Sequence, residues 1–134
     1  MLFRSLYAIF SYTLKDMSWV VLYHDEFDAW FNEQEEDVQD SILFSIGILR
    51  VEGPMLGRPY VDTIKGSKYP NLKELRVQHR GEPWRIFFAF DPKRRAIVLL
   101  GGNKTGGGSN WYEDNIRIAD KRFEEHLSTM QKEG

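Results

Sequence analysis

The sequence predicts an α+β fold in which an antiparallel sheet of about four strands packs against two N-terminal helices and a C-terminal helix. Three observations carry that expectation. Apolar residues recur at helical spacing in two blocks before Gly53 and again after Glu113, the stripe a helix buries against a core. Between these blocks lie three runs rich in β-branched and aromatic residues, joined by connections of hairpin length. The chain of 134 residues, 42% apolar and 14% aromatic, has the size and apolar content of one packed domain, with no internal repeat or second domain visible.

Residues 1–16, MLFRSLYAIFSYTLKD, are mostly apolar but end in Lys15-Asp16 without the small-residue cleavage site of a signal peptide. They read as an N-terminal extension, with Met17 a credible natural start and a single domain over 17–134. Ser18–Tyr23 reads as a short buried strand. Asp25 is the candidate N-cap of a helix whose Phe27, Trp30 and Phe31 fall at i, i+3, i+4. A second helix begins near Glu36, with Val38, Ile42, Ile46 and Leu49 on one face and acids on the other, and Gly53-Pro54 stops it. The Gly/Pro-punctuated stretch from Met55 to Asn71 has room for one short strand around Tyr60–Ile64.

Leu72–His79, Trp84–Phe90 and Ala96–Gly102 then form an antiparallel meander. Alternation puts Leu75, Val77, His79, Trp84, Ile86, Phe88 and Phe90 on one face, and Glu74, Arg76, Gln78, Arg85, Phe87 and Ala89 on the other. If Gly81-Glu82 centre the first turn, Gln78 lies opposite Arg85 and Arg76 opposite Phe87, so two arginines share an open sheet face. A flexible Gly106–Ser109 leads into a helix of roughly Glu113–Met130 with Ile116, Ala119, Phe123 and Leu127 on one side.

Composition excludes several classes. Without cysteine there is no disulfide scaffold and no Cys-ligated zinc, and a reducing cytoplasm is the natural compartment. No apolar run approaches the ~20 residues of a membrane-spanning helix. The net charge of −2 conceals a segregation: Asp16–Gly57 holds ten acidic residues and one basic residue, net −9, whereas Arg58–Lys104 holds eleven basic and four acidic residues, net +7. One half repels polyanions and the other attracts them.

No GxSxG, Walker or dinucleotide glycine pattern is present. His24, His79 and His126 are far apart in sequence with no i,i+4 pair, so neither a metal nor another cofactor is expected. His79 reads first as a hydrogen-bonded strand-end residue and second as a proton-transfer group. The basic set is more informative. Lys65, Lys68, Arg76, Arg80, Arg85 and Lys104 come from four segments that the meander gathers, with Trp111 and Tyr112 just beyond. Arginine forks that grip phosphate, beside aromatics that stack on bases, are what single-stranded RNA recognition uses. The bland alternative is a solvated surface or pairing with the acidic helices.

The run Lys73-Glu-Leu-Arg-Val-Gln-His-Arg-Gly-Glu-Pro-Trp-Arg-Ile-Phe-Phe-Ala-Phe-Asp91, continuing at Ile97-Val-Leu-Leu-Gly-Gly-Asn-Lys104, resembles the HigB-like, phage-derived branch of the RelE/ParE toxin superfamily. The resemblance spans Ser18 to about Leu127. It implies a RelE-like fold and the toxin of a type II toxin–antitoxin pair: an enzyme that cuts mRNA on the ribosome without a metal, by attack of the ribose 2′-OH on the adjacent phosphate. The implied partners are a helix-turn-helix, HigA-like antitoxin, the ribosome and mRNA. Arg85 matches the family's phosphate-gripping arginine, Arg76 the basic position of the ELR strand, Lys104 the cation after the last strand, and Tyr112 the base-stacking aromatic. These four are the implied catalytic residues, with Lys65, Lys68, Arg80 and Trp111 as substrate-binding candidates. RelE-type enzymes carry lysines where Leu72 and Glu74 stand here, which leaves the general base open. The rival from another class is a ParE-like inhibitor of DNA gyrase, and a further one is an inactive phage-derived binding module.

Overall fold

The computed structural model describes residues 18–133; the N-terminal extension and the choice between Met1 and Met17 lie outside them. The order is β1 (Val21–Tyr23), α1 (Asp25–Asn32), α2 (Glu36–Glu52), a 3₁₀ turn (Gly53–Met55), β2 (Val61–Thr63), β3 (Lys73–His79), β4 (Glu82–Phe90), β5 (Ala96–Asn103) and α3 (Trp111–Glu133). The α+β architecture is as expected, with five strands in the order β1-β5-β4-β3-β2. The strand expected at Ser18–Tyr23 is the shorter β1, which joins the sheet at its edge parallel to β5, while the other pairings are antiparallel. Among the described residues no helix is long and apolar enough to cross a membrane.

The sheet is covered on both faces. On one, Val38, Ile42, Ile46 and Leu49 of α2 and Phe27 of α1 meet Leu75, Val77, Ile86, Phe88 and Val98. On the other, Ile116, Ala119 and Phe123 of α3 meet Phe87, Ala89, Ile97, Leu99 and Leu100. Because β4 is buried on both sides, its central run reads as continuously apolar. The two helical layers are tied around the β1 edge by Arg122 to Glu26 at 2.8 Å and His24 to Glu125 at 3.2 Å.

Three local expectations are corrected. The N-cap of α1 is His24, whose Nδ1 accepts from the Glu26 N–H, leaving Asp25 in the first turn beside the positive end of the helix dipole. The β3–β4 turn centres on Arg80 and Gly81, at φ 51 and 76, the pair of left-handed residues that a two-residue type I′ hairpin requires. His79 therefore faces Glu82, Gln78 faces Pro83, and Arg76 faces Arg85 directly. The last helix starts two residues early, so Trp111 and Tyr112 form its first turn.

Between β4 and β5 the ladder slips: Phe87 pairs with Leu100 but Phe88 pairs with Val98, so Leu99 is an extra residue. Ile97, Leu99 and Leu100 all join the α3 layer, and the Leu99 carbonyl accepts from Arg122 at 2.8 Å. Past the bulge, Gly101 lies under Trp30 of α1 and Gly102 under Trp111 of α3; a Cβ on Gly101 would sit 2.3 Å from the Trp30 ring.

The β4–β5 connection is organised by Asp91, whose side chain is fully buried. One oxygen accepts from the backbone of Lys93 and Arg95, and the other from the Arg95 guanidinium and His126 Nε2, both at 2.9 Å. Burial alone raises this carboxyl, but His126 and Arg95 outweigh it and hold it below the ordinary carboxylate range. A folded-state value below the unfolded one means that its contribution is present above about pH 4 and is lost as pH falls through the folded value. Asp91→Asn is expected to cost about 3 kcal/mol near neutrality, and urea titrations should show the gap to wild type closing in acid.

Candidate functional site

The α3 face of the sheet carries the polar positions of β3 and β4, and here Glu74, Arg76 and Arg85 converge. Arg76 and Arg85 are cross-strand partners, a like-charge juxtaposition that is unfavourable by itself. Glu74, 6% exposed, resolves it: its Oε1 lies 3.8 Å from Arg76 Nε and 3.7 Å from Arg85 Nε. The same oxygen accepts a hydrogen bond from the Tyr112 hydroxyl at 3.2 Å. Burial and this carboxylate both push the Tyr112 phenol above its usual value, so it is a proton donor across the physiological range.

Arg85 is 3% exposed and its Nη1 donates to the Trp84 carbonyl at 3.1 Å, whereas Nε is buried without a hydrogen-bond partner, as is Glu74 Oε2. A polar atom left so is a cost of about 1–3 kcal/mol, and it marks a place where an incoming group is rewarded. Arg76 is more open and lines a cavity of about 330 Å³ with Asp62, Thr63, Ile64, Lys65, Glu74 and Tyr112. The Arg58 guanidinium, 2.6 Å from the Asp62 carboxylate, holds that acid below its usual range and occupies its charge. The Lys104 ammonium lies over the ring of Tyr112, 5.0 Å from its centre. Tyr112 is fixed in turn by stacking on Phe87.

Arg76, Arg85, Lys104, Tyr112 and Lys65 are thus brought together. Lys68, Arg80 and Trp111 are placed otherwise, which corrects the expectation that the whole basic set shares one surface. Lys68 turns to α3, 3.4 Å from Glu124. Arg80 swings to the opposite layer and pairs with Asp37 of α2 at 2.6 Å, as its left-handed turn conformation directs. The Trp111 indole is engaged as packing, over Gly102 and Gly107 and edge-on to Phe87. His79 also faces α2, bonded to Ser41 at 2.7 Å and to Asp37 at 3.2 Å, away from the cluster. Sequence reasoning missed Glu74 as the hub. The alternation that placed it beside Arg76 was the available signal, because an acid between two arginines on a buried face must be their counter-ion.

A five-stranded sheet covered by helices on both faces is a fold shared with a solved RelE structure. The free-state structure of an E. coli toxin RelE mutant with two arginine-to-alanine changes superimposes with a TM-score of 0.56 at 14% identity, over 79% of this chain and 98% of that one. Residues 29–124 match the phage-derived protein Gp49-like family (DUF891), and the chain belongs to it as a HigB-like member. Two curated relatives come from Mycobacterium tuberculosis (strain ATCC 25618 / H37Rv). One, named as toxin HigB2, is 43% identical over 108 residues, 80% of this chain and 54% of its own length. The other, named as toxin HigB3, is 47% identical over 102 residues, 76% of this chain and 88% of its own. The chain therefore spans about half the length of the first and most of the second.

Proposed function

We propose that the protein is the toxin of a type II toxin–antitoxin pair and acts as a metal-independent mRNA endonuclease on the ribosome. The observation that carries this reading is the convergence of Arg76, Arg85 and Tyr112 on the buried Glu74, with Lys104 over the Tyr112 ring. In the proposed reaction the ribose 2′-oxygen attacks the adjacent phosphorus, and the bond from phosphorus to the 5′-oxygen breaks. Glu74, whose Oε2 has no partner, takes the 2′-OH proton. Arg76 and Arg85 stabilise the charge that develops on the phosphoryl oxygens, and the Tyr112 hydroxyl gives its proton to the leaving 5′-oxygen, to be reprotonated from Glu74, to which it is hydrogen-bonded. Donors preorganised against such charge contribute ~10²–10³-fold each, and a placed proton-transfer group adds ~10²–10⁴. Lys65 and Lys104 hold the flanking phosphates, and binding of RNA should weaken steeply as salt rises.

The deciding experiment is primer extension on cellular mRNA after brief induction. Cuts inside translated codons support the nuclease; DNA double-strand breaks with intact mRNA would replace it with gyrase inhibition. Within the site, Tyr112→Phe removes a hydrogen bond to a carboxylate, worth roughly 10–100-fold in cleavage, and Lys104→Ala should also lower it. Lys93→Ala, in the β4–β5 turn, is the charge-matched control. Equal losses from Lys104→Ala and Lys93→Ala would mean that bulk charge alone matters.

A further inference from the structure

The outward face of α2 is apolar where a solvent-facing helix would be polar. Phe44 is 73% exposed and Val51 56%, with Leu43 beside them and Met55 just past the helix end. Between Phe44 and Val51 stands Gly47. Glycine inside a helix is less favourable than alanine, and a Cβ built at Gly47 meets nothing within 4 Å, so the packing of this chain does not require it. Its effect is a notch of about 410 Å³ bordered by Phe44, Ile48 and Val51. Phe44 and Ile48 also line a neighbouring groove of about 620 Å³, where α2 faces Pro59, Tyr60 and Arg76 to Gln78 of β3.

The charge around this surface selects its occupant. Among the described residues the ion pairs of α2 run through Asp37 alone, leaving three acids, Glu36, Asp40 and Glu52, against one cation, Arg50, outside any ion pair on this helix, a net negative balance. A nucleic acid or an anionic membrane is repelled there. A second copy of this chain, meeting the same face about a two-fold axis, would set acids against acids. An amphipathic helix laid into a groove places apolar side chains at i, i+3/i+4 and i+7, and here its flanks must be basic.

We propose that the outer face of α2 docks a helical segment of another protein, with large aliphatic side chains on one side and lysine or arginine on its flanks. That this protein is the neutralising antitoxin rests on the function proposed above; the surface and its chemistry do not.

The test uses the purified full chain and two fluorescent 20-residue helix-forming peptides that share a leucine face, one flanked by lysine and the other by glutamate. The lysine peptide should bind at least tenfold tighter than its twin. Phe44→Glu should weaken it at least tenfold, and Ile118→Glu on the exposed side of α3 should not. Gly47→Leu, which fills the notch while favouring the helix, should weaken binding with no loss of thermal stability, so a folding defect is not confused with a lost site. Equal binding of the two peptides, or unchanged binding to Phe44→Glu, overturns the proposal. So does a wild-type dimer in light scattering that Phe44→Glu converts to monomer. In cells, Phe44→Glu should still arrest growth but escape relief by an antitoxin that neutralises the wild type. Absence of arrest in the wild type itself would count against the nuclease reading and leave the peptide result standing.

Discussion

Arg85→Ala is expected to lower mRNA cleavage by about 10²–10³-fold and to relieve growth arrest. Arg85 is fixed by the Trp84 carbonyl and by β4 itself, so in the proposed reaction its guanidinium would meet a phosphate without first being ordered. The change has a second effect on stability. It leaves the buried Glu74 carboxylate with Arg76 as its one remaining cation, and an uncompensated buried charge is costly. Urea unfolding must therefore accompany the activity assay. Arg85→Lys keeps the charge but lacks the fork, and it should recover most of the stability and little of the activity. Full toxicity in a folded Arg85→Ala variant would remove this residue from the reaction.

Phe88→Ala should produce the largest loss of stability, about 3–5 kcal/mol by urea denaturation. Its ring is fully buried between α2 and the sheet and packs edge-on to Phe90. It also stands at the bulge, where β5 has an irregular partner and limited freedom to collapse into the space left behind. Phe44→Ala is the matched comparison: the same atoms are deleted from a largely exposed ring, and the change should stay within about 0.5 kcal/mol. Comparable losses at both positions would mean that the α2 layer is not the principal core.

The layers were legible in the sequence because a helix or strand with one buried face shows its period. Val38, Ile42, Ile46 and Leu49 were identified as the buried side of α2 from spacing alone, and all four are buried. The two faces of β3 and β4 were read correctly for the same reason. Register was not legible. It turned on whether Arg80 would adopt a left-handed conformation, which a non-glycine residue does at a cost that only the paired strands can outweigh. Nor could segment charges assign partners. Asp37 and Glu124 draw Arg80 and Lys68 away through contacts separated by 43 and 56 residues. In the sequence Glu74 is only a departure from the lysine of RelE-type enzymes, and its part as the shared counter-ion follows from the direct pairing of Arg76 with Arg85.

The extra residue in β5 reaches further than the core it distorts. Side chains along a strand alternate, so counting by twos from Val98, which faces α2, Lys104 would emerge on the α2 side. Leu99 breaks that parity, and Lys104 emerges instead above Tyr112. The chirality of the cationic cluster is thus written in the length of a hydrophobic strand. Deleting a single leucine from it would re-aim the terminal ammonium toward the wrong layer while leaving every residue of the pocket present in the chain.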